Sequence, residues 1–324
     1  MADNFDGTVN LDRARAYLQL CGIAYDSDIE AMSGQITDRS TITNWEDGKW
    51  QCVWGPVLNK DHGNLALIAK FEPQNIASPP TYVVVIRGTD ISEKPDHWWS
   101  DGYQLDEDVW IGERKTFPGS NPADNILIAH GTMVGWTSID QLSYVYANIS
   151  QFLLNALSRA EGPTPTVALT GHSLGGCLTT AYALSLADTL QQSGHQVEIT
   201  PYTFAGPTAG NQAFADQYDK TFPRAARFHN VIDVIPHWWA GLDAIPHLYS
   251  FDDYPLVAEA FFDYMKHEIA KMPDQPYVQP RNGDVPLNSD QFLRDDWIQQ
   301  AKAQHHWTHY LDLLQKLIND QRGT

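Results

Sequence analysis

The feature that most constrains this chain is Gly171-His172-Ser173-Leu174-Gly175, with an apolar run before it and a helix-forming run, Cys177 to Leu190, after it. In a G-x-S-x-G elbow the serine sits on a sharp strand-to-helix turn, in a strained conformation that lifts its hydroxyl above the sheet. Gly171 and Gly175 carry no side chain, so the flanking strand and helix can crowd the turn. The helix then starts at the serine, and its first N–H groups face any anion that forms there. A bare G-x-S-x-G recurs by chance, so the weight lies in the strand before it and the helix after it.

The rest of the chain supplies a sheet for such a turn. Leu11 to Tyr25 has the periodicity of an N-terminal helix, and Gln51 to Leu58 with Asn64 to Phe71 reads as an antiparallel hairpin. Thr81 to Arg87 contains Tyr-Val-Val-Val-Ile, a run apolar on both faces that suits a central strand covered on both sides. Further along come a helix at Thr137 to Leu157, a strand at Thr166 to Thr170, the elbow helix, and a strand at Val197 to Phe204. A helix at Gln212 to Phe222 and a strand at Ala226 to Ile232 complete the alternation. That order predicts an α/β chain with a mostly parallel central sheet, helices on both faces and an antiparallel N-terminal hairpin. From His237 the pattern becomes helical, mainly Leu256 to Met272 and Asp290 to Leu317. No repeat or low-complexity linker interrupts it, so residues 1–324 read as one domain, with a helical insertion over about 238–304.

Composition excludes more than it selects. A chain with 43% hydrophobic and 19% charged residues is not disordered, and a net charge of −19 disfavours nucleic acid and anionic membranes as partners. No apolar run approaches the roughly 20 residues that span a bilayer, so no transmembrane anchor is expected. The first thirty residues lack a basic region followed by an apolar stretch. This favours a cytoplasmic protein, or a secreted one whose signal peptide has been removed. Cys21, Cys52 and Cys177 cannot all pair and show no metal-ligand spacing; a Cys21–Cys52 bridge stays open. Cys177 reads as a small buried apolar residue.

Serine is a weak nucleophile until a base takes its proton, and the base, usually histidine, needs a carboxylate to fix its tautomer. In α/β-hydrolase folds these follow in the order Ser, Asp or Glu, His. Asn230-Val231-Ile232-Asp233 places Asp233 at the end of an apolar strand, and Pro236 stops that strand from continuing. Asp243, Asp252 and Asp253 follow no such strand. Among the downstream histidines, His237 is too near Asp233 and His267 lies inside a predicted helix. The cluster His305-His306-Trp307-Thr308-His309 is left, and residue chemistry does not choose within it. The developing oxyanion needs donors: the Leu174 N–H, and the loop at Arg87-Gly88-Thr89, where Thr89 offers both its N–H and its hydroxyl.

With these residues in view, the chain resembles the class 3 lipases: fungal triacylglycerol lipases, feruloyl esterases and plant phospholipases A1 with an α/β-hydrolase fold. The resemblance rests on Val84 to Thr89, His97-Trp98-Trp99-Ser100-Asp101, Ile128 to Thr132 and the elbow Thr170 to Gly176. Phe204-Ala205-Gly206-Pro207 with Gly210-Asn211, and Asn230 to His237, complete it. It implies Ser173 as nucleophile, Asp233 as orienting carboxylate, and Thr89 with Leu174 as oxyanion donors. Its spacing of histidine, apolar residue and tyrosine fits His305, Trp307 and Tyr310, so His305 is the implied base and His306 the reserve.

The implied function is a serine carboxylester hydrolase, a lipase or carboxylesterase acting on acylglycerols through an acyl-enzyme. It would use no metal or other cofactor, and would touch a lipid interface only transiently. An esterase for soluble short-chain or aromatic esters is the alternative within enzymes, and an inactive binding module the alternative outside them. The lid-like segment at about 91–110 contains Glu93, Lys94, Asp96, Asp101, Asp106, Glu107 and Asp108, which leaves little room for one broad apolar plate. Three cysteines also fall short of the several disulfides of the secreted fungal members.

Overall fold

A strand between two helical layers must be apolar on both faces, and two segments of this chain are buried almost throughout: Leu65–Pro73 and Thr81–Ile86. They lie inside the sheet of a computed structural model that describes residues 9–38, 40–59, 63–89, 113–250, 255–292 and 296–323. The lid-like segment at 91–110, with its tryptophans and carboxylates, falls outside the described residues. The helices are α1 (Leu11–Ile23), α2 (Ile29–Thr37), α3 (His130–Gln141), α4 (Ile149–Ser158), α5 (Leu174–Gln192), α6 (Gln212–Thr221), α7 (Leu256–Ala270), α8 (Trp297–His305) and α9 (Trp307–Arg322). The strands are β1 (Gly48–Leu58), β2 (Leu65–Pro73), β3 (Thr81–Ile86), β4 (Arg114–Thr116), β5 (Leu127–Ala129), β6 (Thr166–His172), β7 (Ile199–Phe204), β8 (Ala226–Asn230) and β9 (Asp284–Leu287).

The main sheet runs β1-β2-β3-β6-β7-β8-β9, and β4 pairs with β5 apart from it. β2 runs antiparallel to both of its neighbours, β1 and β3, whereas β3, β6, β7, β8 and β9 run parallel. This is the α/β-hydrolase arrangement, with the expected hairpin at the N-terminal edge. The period of two sorts side chains cleanly. Leu65, Leu67, Ala69 and Phe71 of β2 with Val83 and Val85 of β3 face the core under α1, α2 and α9. Ala66 and Ile68 with Tyr82, Val84 and Ile86 face the core under α3, α4 and α5. Ligands of open α/β sheets bind beyond the carboxyl ends of the parallel strands. There β3 leads to Thr89, β6 to Ser173 and β8 to Asp233.

The structure differs from the sequence reading where local hydrogen bonds override periodicity. The predicted helix over Thr137 to Leu157 is two helices, α3 and α4. Asn148 and Gln151 exchange side-chain-to-backbone hydrogen bonds in a capping box that starts the second one. The predicted helical run over Asp290 to Leu317 also breaks, because His306 is extended and its side chain accepts from the Thr308 N–H to cap α9. The segment 238–304 is not helical throughout: Asp284–Leu287 pairs in parallel with β8 and buries Val285 and Leu287. Four residues are too few to show a period in the sequence. None of Cys21, Cys52 and Cys177 forms a disulfide, so Cys21 and Cys52 do not pair.

The elbow depends on the absence of two side chains. A Cβ on Gly175 would stand 2.2 Å from the Ile86 carbonyl oxygen, and one on Gly171 would stand 2.1 Å from the Gly175 oxygen. Both obstacles are backbone, one at the end of β3 and one in the first turn of α5, and cannot swing aside. Gly175→Ala is therefore expected to cost about 3 kcal/mol or more, as overpacking at a rigid site does. Urea unfolding followed by circular dichroism measures this; a midpoint equal to wild type would show that the β6–α5 turn has slack.

Candidate active site

β6 delivers the chain to Ser173, and α5 begins at the next residue. Ser173 has φ 61 and ψ −132, in the left-handed half of backbone space that a β-carbon disfavours. The turn is held by Ser173 N–H donating to the Phe204 carbonyl at 2.9 Å and Gly176 N–H donating to the Ser173 carbonyl at 2.9 Å. Leu174 is the first residue of the helix, so its N–H has no acceptor four residues back. Gly88, after β3, lies against the elbow: a Cβ there would be 2.5 Å from the His172 carbonyl oxygen and 3.1 Å from the Ser173 Cβ. Thr89 is the next residue and is half-buried. Arg87 is buried and donates to the Gly63 carbonyl at 2.8 Å, which fixes the start of this loop.

The other two members arrive from the far side of the sheet. Asp233 follows β8 and is fully buried. Its Oδ1 accepts from the Ile235 N–H at 3.0 Å, and its Oδ2 accepts from His305 Nδ1 at 2.7 Å and from the Tyr310 hydroxyl at 2.6 Å. The opposite nitrogen of the ring, His305 Nε2, lies 2.8 Å from Ser173 Oγ. Since Asp233 requires a proton on Nδ1, Nε2 is left as the acceptor for the serine hydroxyl. Three residues far apart in the sequence thus form one continuous hydrogen-bonded line, an arrangement able to draw a proton from an attacking hydroxyl.

Around this line lies a set of supports that residue patterns did not single out. His172, the variable residue of the elbow, is buried and places Nε2 3.0 Å from the His305 carbonyl, to which it donates. The Tyr25 hydroxyl, just beyond α1, lies 3.1 Å from His172 Nδ1 and 3.2 Å from the His172 carbonyl. Burial, and then the neighbouring His305, hold His172 well below the usual histidine range, so it is neutral. Tyr310 also accepts from the Asn230 N–H at 3.0 Å. Burial and the adjacent Asp233 push its phenol well above the usual range, so it remains a donor. Asn230 donates to the Gln304 side chain at 2.6 Å, tying the end of β8 to the end of α8. The sequence offered the register of Tyr310 and the position of Asn230, but nothing marks Tyr25 or Gln304 as their partners.

The remaining candidates lie elsewhere. His306 is exposed and caps α9, with its Nδ1 2.8 Å from the Thr308 hydroxyl. His309 Nε2 is 2.9 Å from the Ser289 hydroxyl. His237 turns toward the Val231 carbonyl at 3.5 Å. None of them reaches Ser173 in place of His305.

Comparison with known proteins agrees with this picture. Residues 83–241 match the family described as Lipase (class 3), a stretch that includes the β3 end, the elbow and Asp233 but stops before His305. M37 lipase shares the fold: its crystal structure superposes with a TM-score of 0.73 at 23% identity, covering 94% of this chain and 91% of that one. Phospholipase A1-II 1 of Oryza sativa is 25% identical over 211 residues, 63% of this chain and 49% of its own length. A lipase of Caenorhabditis elegans is 30% identical over 150 residues, 42% of this chain and 40% of its own length. The chain spans about half or less of the curated relatives it matches.

A buried neutral histidine ties stability to pH. Below about pH 6.5 the unfolded chain protonates this residue while native His172 does not. Its contribution is therefore complete above that pH and is lost as pH falls toward the lowered native value. The urea midpoint of the wild type should drop more steeply between pH 7.5 and pH 5 than that of His172→Gln, whose amide can still donate to the His305 carbonyl. Parallel curves for the two proteins would remove His172 as the titrating group.

Proposed function

From the class 3 lipase pattern over residues 83–241, we propose that this chain is a serine hydrolase of lipid carboxylic esters, acting through an acyl-enzyme. The observation that carries the reading is the line from Ser173 Oγ to His305 Nε2 at 2.8 Å and from His305 Nδ1 to Asp233 Oδ2 at 2.7 Å. In the proposed mechanism His305 accepts the Ser173 proton as Oγ attacks the ester carbonyl. Asp233 keeps the ring in the tautomer with Nε2 free and balances the imidazolium that forms. The oxyanion is stabilised by the Leu174 N–H at the start of α5 and by Thr89 at the end of β3. His305 then returns its proton to the departing alcohol, leaving Ser173 acylated. Water, activated by the same ring, releases the fatty acid and restores the serine. Side chains, backbone and water supply every proton and charge in this sequence.

The substrate we propose is an acylglycerol. The phospholipase A1 among the similar proteins makes a glycerophospholipid the second choice of lipid. A rate series over p-nitrophenyl esters of rising chain length, beside emulsified triacylglycerol and phosphatidylcholine, separates these from a short-chain esterase.

The roles make unequal demands on the histidines. Ser173→Ala and His305→Ala should each lower kcat on a p-nitrophenyl ester by roughly 10³-fold or more, since members of such a unit fail together. His306→Ala should stay within about tenfold, because its side chain caps a helix and loses roughly 1 kcal/mol of cap energy, not a proton acceptor. A near-normal His305→Ala beside a dead His306→Ala would reverse the assignment of the base.

A further inference from the structure

At the end of the sheet opposite Ser173, where β3, β6 and β7 begin, α1 also begins, and a cavity of about 120 Å³ lies between them. We propose that this cavity binds one small oxyanion, a phosphate or a short carboxylate, held by Arg13, the Tyr17 hydroxyl and the first N–H groups of α1. The site uses none of the residues placed in the ester chemistry and does not depend on that reading.

The local charge runs against that of the whole chain. With 21 basic and 40 acidic residues the protein repels anions in general, yet Arg13 and Arg224 both line this one cavity. Among the described residues that line it the one carboxylate, Glu198, is already paired with Arg224 at 2.7 Å. Arg13 has no such partner. Its guanidinium carbon lies 4.9 Å from the centre of the Trp45 ring, its Nε is buried without a hydrogen bond, and it forms no ion pair among the described residues. A stacked guanidinium with its donors unspent is well suited to an oxyanion.

Tyr17 gives a second, independent indication. It is 1% exposed, and its ring is wedged edge-on between Trp45 at 5.8 Å and Tyr202 at 5.0 Å. Tyr17 lines the cavity, and its hydroxyl makes no hydrogen bond to a described residue, which leaves it free to donate. Burial raises its phenol, against the opposing pull of Arg13, so the group is a fixed donor. The third contribution is α1 itself, which is 13 residues long. Its cap, Asn10, lines the cavity; its side chain accepts from the Arg13 N–H and its carbonyl from the Ala14 N–H, which leaves the N–H groups of Leu11 and Asp12 for a ligand. Asp12, the acid in that first turn, is engaged by Arg15 and Arg322. The volume admits a phosphate-sized group and excludes a drug-sized ligand, which needs about 300 Å³ or more.

Isothermal titration of the full chain with inorganic phosphate, and separately with acetate, tests this at fixed ionic strength with chloride as the control. One saturable site per chain is expected, with Kd raised at least tenfold in Arg13→Gln and in Tyr17→Phe. Ser173→Ala should bind as the wild type does. The stronger of the two titrants identifies the ligand as a phosphoryl or a carboxylate group. The proposal is overturned if neither anion binds above the chloride control, or if folded Arg13→Gln and Tyr17→Phe both bind with wild-type affinity. Tyr17→Phe removes a single oxygen, so it carries the test if Arg13→Gln does not fold.

Discussion

A carboxylate without access to water must be met by donors, because leaving it unpaired costs several kcal/mol. Asp233 is in that position, and much of the chain after β8 is arranged to meet it. One donor comes from its own loop, one from the last residue of α8 and one from the first turn of α9. For the last two to coincide, the helical run after Trp297 has to break between His305 and Trp307, and His306 is the residue that breaks it. The break turns His305 toward the sheet and gives His306 its different task as a cap. The charge of one side chain thus sets the course of the chain around it.

The serine is fixed by the opposite kind of constraint, the removal of atoms. Gly171, Gly175 and Gly88 let β6, α5 and the end of β3 approach within distances that any β-carbon would forbid. The close approach places the start of α5, with Leu174, beside the loop after β3 that carries Thr89, the two proposed oxyanion donors. His172 then joins the two halves, since it belongs to the elbow and donates to the carbonyl of His305.

Much of this was legible in the sequence. The apolar Tyr-Val-Val-Val-Ile run showed a central strand, the elbow gave Ser173, and the apolar strand ending at Asp233 separated that aspartate from its rivals. Residue chemistry narrowed the histidine to a cluster, and the spacing shared with a known family selected His305, the ring that the structure brings to Ser173. What stayed hidden depends on distant partners or on short segments. Tyr25 and His172 are separated by 147 residues, and no local pattern links them. β9 is four residues long and carries no readable period. The breaks before Asn148 and at His306 are set by single side-chain hydrogen bonds, which an average over a helical window conceals.

The central claim is that the line through Asp233 and His305 makes one particular hydroxyl nucleophilic. Reaction with an organophosphonate ester, followed by digestion and mass mapping, reads this without reference to the natural substrate. The account predicts one adduct per chain, on Ser173, formed in parallel with the loss of esterase activity and much slower in His305→Ala. An adduct on Cys177 or on another serine, with activity lost at the same rate, would contradict it.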